Sequence, residues 1–314
     1  MEEQIKYIHN KQIDRDKWDK YIKSSFNGRI YATSFFLDIF SPGWDAMVID
    51  EGRACMPVTR NSKYGIAYVS QPIFLQQLGC FFADRAYSAF LPYFISKLAG
   101  SCRFIDIAMN ETNELNLTSP DRRVRNMNNF ILNLDISYTS LYNNYNTNTK
   151  RNISSARLHC PATPENPSPA EIVGLFIKNN KRRYPGIRSI NYKRLQTILE
   201  KGMDRDLVII KSCYSGNGKL IAAACFLRDF NRDIFFFSVN TPEGRRKGSM
   251  FMIVDDFIKE NAGSNKALDF NGSMDPGVAR FYRGFGSSVQ TYQRLYINNL
   301  PFPLRLLKSS PDTG

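Results

Sequence analysis

The chain has 314 residues, too long for a peptide or a disulfide-stapled miniprotein, and at about 100 to 200 residues per domain it predicts two domains or one large one. With 43% apolar and 23% charged residues it has a globular composition and lacks the signature of disorder. Forty-two Lys and Arg against 29 Asp and Glu leave +13, which favours an anionic partner: a phosphate-bearing cofactor, RNA or an acidic lipid head group.

In chain order, Ile13, Trp18, Tyr21 and Ile22 recur at helical spacing and predict an opening helix over Lys11–Ser25, with Asp14 and Asp16 near its start. The apolar Tyr31–Phe40 follows. The runs Trp44–Pro57 and Ile66–Val69, broken by Asp50-Glu-Gly52 and Asn61–Gly65, predict a hairpin feeding a sheet. Tyr87–Leu98 reads as a helix, and Cys102–Ala108 and Asn129–Leu134 as strands. Between Ser137 and Pro169 the pattern turns polar and proline-rich, which marks a junction between domains at 1–136 and 137–314. Helices from Pro169 and over Asn191–Lys201 come next, then three strands, Leu207–Tyr214, Leu220–Asp229 and Asp233–Val239, joined by hairpin-length turns. Met250, Ile253, Val254, Phe257 and Ile258 form a helical stripe, followed by strand Lys266–Phe270, helix Pro276–Arg283 and strand Val289–Ile297.

No apolar run approaches the roughly 20 residues that cross a bilayer. Met1-Glu-Glu-Gln lacks the basic and apolar run of a secretion signal, so the expected location is cytoplasmic. Six scattered cysteines without a CxxC pair read as buried free thiols, and two histidines, His9 and His159, are too few for a His-rich metal site, so no metal is expected.

The segment Pro242-Glu-Gly-Arg-Arg-Lys-Gly-Ser249, between a strand end and a helix start, has the makings of an anion cradle: unpaired amides at a helix N-terminus, a close-approach glycine and three cations. With the element order around it, Pro242-Glu-x-Arg245-x-x-Gly248 resembles motif A of the GNAT superfamily of N-acetyltransferases, Arg/Gln-x-x-Gly-x-Gly/Ala, which binds the coenzyme A pyrophosphate. Met250 departs from that pattern, so the loop either poses its phosphate differently or holds the fold without a cofactor. Asp269-Phe-Asn-Gly-Ser273 with Ala279-Arg-Phe-Tyr-Arg-Gly-Phe-Gly286, and Arg151-Asn-Ile-Ser-Ser-Ala156, resemble segments of the Fem-type aminoacyltransferases, tandem GNAT proteins that carry amino acids from aminoacyl-tRNA to peptidoglycan precursors. The resemblance spans Arg151 to Gly286. It implies an α+β fold of two GNAT-like lobes, each a mixed, mostly antiparallel sheet flanked by helices, the N-terminal one degenerate.

It also implies an N-acyltransferase that moves an acyl group from acyl-CoA (acetyl-CoA) to an amine, on a small molecule or a cell-wall precursor, in the cleft between lobes. The alternatives are a Fem-type aminoacyltransferase that uses tRNA, and an inactive GNAT-fold binding protein. In the first reading Arg245, Arg246, Lys247, Gly248 and Ser249 hold the cofactor, and backbone amides near Ser238 and Val239 face the thioester carbonyl. Tyr282 stands where the Fem pattern has Lys; a phenol is a suitable acid for a departing thiolate, although Val278, Phe281 and Phe285 share its helical face and suit a core role equally. Asp269, at a strand end, is the candidate base, or a cap for the turn that follows. Gln76 and Gln77, among aromatics in a turn-rich stretch, are candidates for holding the polar acceptor or for loop packing. The clusters Arg122-Arg123-x-Arg125 and Lys181-Arg-Arg183 are candidate phosphate contacts or solvated faces.

Overall fold

Asp14 opens the first helix by accepting from the Lys17 amide at 3.0 Å, and Trp18 and Ile22 turn inward from it. This is α1 (Arg15–Ser24), preceded by β1 (Lys6–Ile8) and followed by α2 (Ser34–Phe40), in a computed structural model that describes residues 4–115, 122–160, 167–180 and 186–308. The expected hairpin forms as β2 (Asp45–Ile49) and β3 (Ala54–Val58), paired from Asp45 against Val58 to Ile49 against Ala54. A second hairpin, β4 (Arg60–Lys63) and β5 (Ile66–Ser70), precedes the short β6 (Phe81–Phe82), α3 (Leu91–Ser101) and β7 (Phe104–Ala108). β1, β2, β3 and β6 make one antiparallel sheet, whereas β5 runs parallel to β7 with Tyr68 opposite Phe104.

The chain then passes through β8 (Arg122–Asn133) into α4 (Tyr138–Asn143), α5 (Thr147–His159), α6 (Pro169–Asn180) and α7 (Ser189–Met203). Strands β9 (Val208–Tyr214), β10 (Leu220–Arg228) and β11 (Arg232–Asn240) form an antiparallel meander. After α8 (Pro242–Lys247) and α9 (Ser249–Asn261), β12 (Ala267–Asp269) returns parallel to β11; α10 (Pro276–Arg283), β13 (Ser288–Asn298) and α11 (Leu304–Leu307) end the described chain.

Two compact units result, Met1–Met127 with Thr291–Gly314, and Asn128–Gln290. Each holds a parallel β-α-β crossover, β5-α3-β7 in the first and β11-α9-β12 in the second. In the first, β7 is closed by β13 from the far end of the chain, with Phe104 opposite Asn298; in the second, β12 is closed by β8, with Ala267 opposite Asn133. The last strand of each half thus serves the other's sheet. These compact units divide between Met127 and Asn128, and the segment from Thr291 belongs to the first.

The expected junction is also partly helical. Asn146 caps α5 by accepting from the Thr149 amide at 2.8 Å, and Thr149, Ile153 and Ala156 lie buried along one face. That stripe is narrow and includes a threonine, so the polar composition concealed a helix. With α9 and α10 it covers one face of the second unit's sheet, where Phe226 and Phe257 stack at 3.8 Å. On the other face Phe176 of α6 meets Phe237 of β11 at 4.8 Å.

All six cysteines are free and buried, as expected, and burial pushes the Cys213 and Cys225 thiols up to about 12. The native protein should therefore react only slowly with a thiol reagent such as dithionitrobenzoate, and six thiols should appear at once in denaturant. A fast native thiol would contradict this packing.

Candidate functional site

The second unit's sheet opens beside β11. β12 pairs with β11 only through Arg232, Asp233 and Ile234. Its chain is then turned away, because Asp269 accepts from the Asn271 amide at 2.8 Å, and Asn271 (φ 60) and Gly272 (φ 65) take up left-handed backbone in succession. From Phe235 to Asn240, β11 keeps β10 on one side and meets no strand on the other among the described residues.

A bulge sits at the mouth of this opening. Cys225 of β10 pairs with Phe237 and Phe226 pairs with Phe235, which leaves Phe236 as the extra residue of β11. The bulge re-aims the edge that follows. The Asn271 side chain donates to the Phe236 carbonyl at 3.3 Å and so ties the departing turn to the bulge. Ser238 and Val239 lie on the open stretch, opposite Ala224 and Ala223, and backbone amides of such an edge are positioned to receive a carbonyl oxygen.

In the first unit the corresponding edge is filled by its own chain. Beyond the β5/β7 pairs, the Gln71 amide donates to the Asp106 carbonyl at 2.7 Å, its side chain accepts from the Ala108 amide at 3.0 Å, and the Leu78 amide donates to the Ala108 carbonyl at 2.9 Å. Gln77 lies in this plug, buried, and accepts from the Glu111 amide at 3.0 Å; its amide group donates to Gln76 at 3.3 Å. Gln77 packs this loop, and Gln76 beside it is half-buried.

At the expected anion cradle the start of α9 packs against α5. Gly248 (φ 76) ends α8 and begins α9, and a Cβ there would lie 2.6 Å from the Asn152 carbonyl oxygen of α5. Gly248, Ser249 and Met250 are buried, and the Ser249 hydroxyl is 3.4 Å from the Cys160 sulfur. α5, absent from the sequence reading, is the physical reason. The cations flank this plug: Arg245 folds back to donate to the Asn240 carbonyl at 2.7 Å, and Arg246 is exposed. Lys247 pairs with Glu243 at 2.8 Å and, by its hydrogen bond, holds that carboxyl below the usual range.

Asp269 is 2% exposed and fully engaged. One oxygen takes Asn129 at 3.1 Å and the Arg232 guanidinium at 3.0 Å, the other the Asn271 amide. It shapes the turn. Tyr282, 7% exposed, has its ring among Phe130, Phe235, Phe270 and Phe281, with Phe270 at 4.8 Å. Arg123 and Arg125 are exposed on β8, and Lys181–Arg183 lies outside the described residues. Among the described residues no His, Cys, Asp and Glu cluster suits a metal, and no helix is long and apolar enough to cross a membrane.

Sequence reasoning missed the Asn271 tie and the Phe236 bulge. The Asn271-Gly272 pair is a turn signal, and three consecutive phenylalanines, Phe235 to Phe237, break strand alternation as a bulge requires.

No family model matches the sequence, and no curated protein sequence matches it either. Among solved structures, this chain is similar to FemX at 13% identity and a TM-score of 0.64, over 96% of this chain and 99% of that one. It is similar to L-PGS from Bacillus licheniformis at 10% identity and a TM-score of 0.52, over 94% and 95% of the two chains. A GNAT-family acetyltransferase from Colwellia psychrerythraea aligns at 12% identity and a TM-score of 0.50, over 94% and 99%. The chain has the α+β, GNAT- and Fem-like fold expected from its sequence.

Proposed function

We propose that this chain is an acyl-transfer enzyme whose second unit receives the donor's carbonyl on the open β11 edge, and that the donor is an aminoacyl ester of tRNA. The observation that carries the first part is the opening beyond Ile234 and Asp269, with the bulge at Phe236. In the reaction an acceptor amine attacks the ester carbon, the carbon–oxygen bond to the ribose breaks, and the amine's proton passes to the departing hydroxyl. Edge amides stabilise the oxyanion. Juxtaposing amine and ester contributes about 7–11 kcal/mol, so few acid or base side chains are needed.

The choice of donor is supported by the start of α9, where Gly248, Ser249 and Met250 are buried beside α5. The +13 charge, the Fem-like segments and the likeness to FemX support the RNA ester, with a cell-wall-precursor amine as acceptor. Acyl-CoA is the second reading, favoured by the exposed Arg246 near the end of β11 and by the GNAT-family neighbour.

Charged tRNA should bind with a steep salt dependence, and millimolar acetyl-CoA should leave the melting temperature unchanged. A melting temperature raised by acetyl-CoA and lost in Arg245→Ala/Arg246→Ala would instead establish the second reading. For the chemistry, Asn271→Ala should slow transfer by releasing the bulge, measured as label moved from charged tRNA to precursor. Tyr282→Phe should retain turnover, since the ring's packing is kept; a fall of tenfold or more would make the phenol the proton donor.

A further inference from the structure

The end of the first unit's sheet carries apolar side chains that point into water. Phe302 is 81% exposed, Leu306 71% and Tyr64 85%. Strand register places them together. β5 is parallel to β7 and β13 antiparallel to it, with Tyr68 and Asn298 both opposite Phe104. The turn before β5, which holds Lys63 and Tyr64, therefore lies at the same sheet end as the chain leaving β13.

That outgoing segment is fixed by its backbone. The Tyr296 hydroxyl donates to the Lys308 carbonyl at 2.9 Å, and the Asn298 amide group donates to the carbonyls of Arg305 at 3.2 Å and Lys308 at 3.1 Å. With its main chain anchored, Phe302 and Leu306 are presented outward. Exposed cations accompany them: Lys63, Arg103, Arg305 and Lys308. Residues 63–65, 103 and 299–308 contain no acidic side chain.

We propose that this rim docks on an anionic lipid bilayer, with Phe302, Leu306 and Tyr64 inserting among head groups and the four cations meeting lipid phosphates. Phe302 and Leu306 protrude from an anchored segment and Tyr64 from the turn before β5, and exposed apolar tips accompanied by exposed cations match a membrane interface. The proposal is independent of the transfer chemistry.

The test is co-sedimentation of the full-length protein with vesicles of phosphatidylcholine alone and of phosphatidylcholine mixed equally with phosphatidylglycerol. The protein should pellet with the anionic vesicles, remain in solution with the neutral ones, and be released by salt. Phe302→Ser/Leu306→Ser and, separately, Arg305→Glu/Lys308→Glu should each weaken partitioning by about tenfold or more with an unchanged melting temperature. No pelleting with anionic vesicles, or equal pelleting by both variants, overturns the proposal. So does concentration-dependent dimerisation, or RNA binding, that the same variants abolish while vesicle binding persists.

Discussion

Arg232→Ala should destabilise the protein by about 3–5 kcal/mol, because it strips the guanidinium from an aspartate that is 2% exposed. Asn129 and the Asn271 amide still donate to Asp269, but neither supplies the opposite charge. Against a total stability of about 5–15 kcal/mol, the shift should be plain in a denaturant midpoint. Arg232→Ala combined with Asp269→Asn should recover much of the loss, since the buried charge is gone and a hydrogen-bonding group of the same shape remains. Failure of that rescue would mean that Arg232 acts through packing rather than charge. Transfer should suffer in the single variant as well, because Asp269 sets the turn that parts β12 from β11.

Gly248→Ala should cost about 2–4 kcal/mol, from left-handed backbone and from overlap with a neighbour that has no side chain to move aside. The group met at 2.6 Å is the Asn152 carbonyl oxygen, so relief requires α5 to lift off the start of α9. Gly216→Ala is the control: its Cβ meets nothing within 4 Å and its φ is ordinary, so the change should stay within about 0.5 kcal/mol. Equal midpoints for the two variants would refute the close packing of α5 on α9. Because Gly248 is structural, substitution of Arg245 and Arg246 is the cleaner probe of anion binding.

The strands were legible because their alternation and turn residues are local signals: β2 and β3 around Asp50-Glu-Gly52, and β10 and β11 around Asn231, lie within a residue or two of their expected bounds. α5 was not legible, since three buried side chains, one of them Thr149, leave little apolar periodicity. That omission propagated to the site. An anion cradle read from glycine and arginines takes the helix start to face solvent, and the packing of α5 against Gly248 is invisible to that reading. Asp269 and Tyr282 were placed on the right elements, but their surroundings are long-range: Asn129 and Phe130 lie more than a hundred residues earlier in the chain. The opening beside β11 depends on where β12 stops, which a three-residue strand announces only through Asn271-Gly272.

The partnership of β7 with β13 fixes a timetable for biosynthesis. A ribosome that has delivered everything through Ala108 has made a strand whose mate, Arg294 to Asn298, is still more than 180 residues away. Until that mate emerges, the first half holds a bare edge and waits, while the interior of the second half is completed from residues in one uninterrupted stretch. A released chain truncated at Gln290 should therefore be protease-sensitive in the half that was translated first, and sheltered in the half translated later.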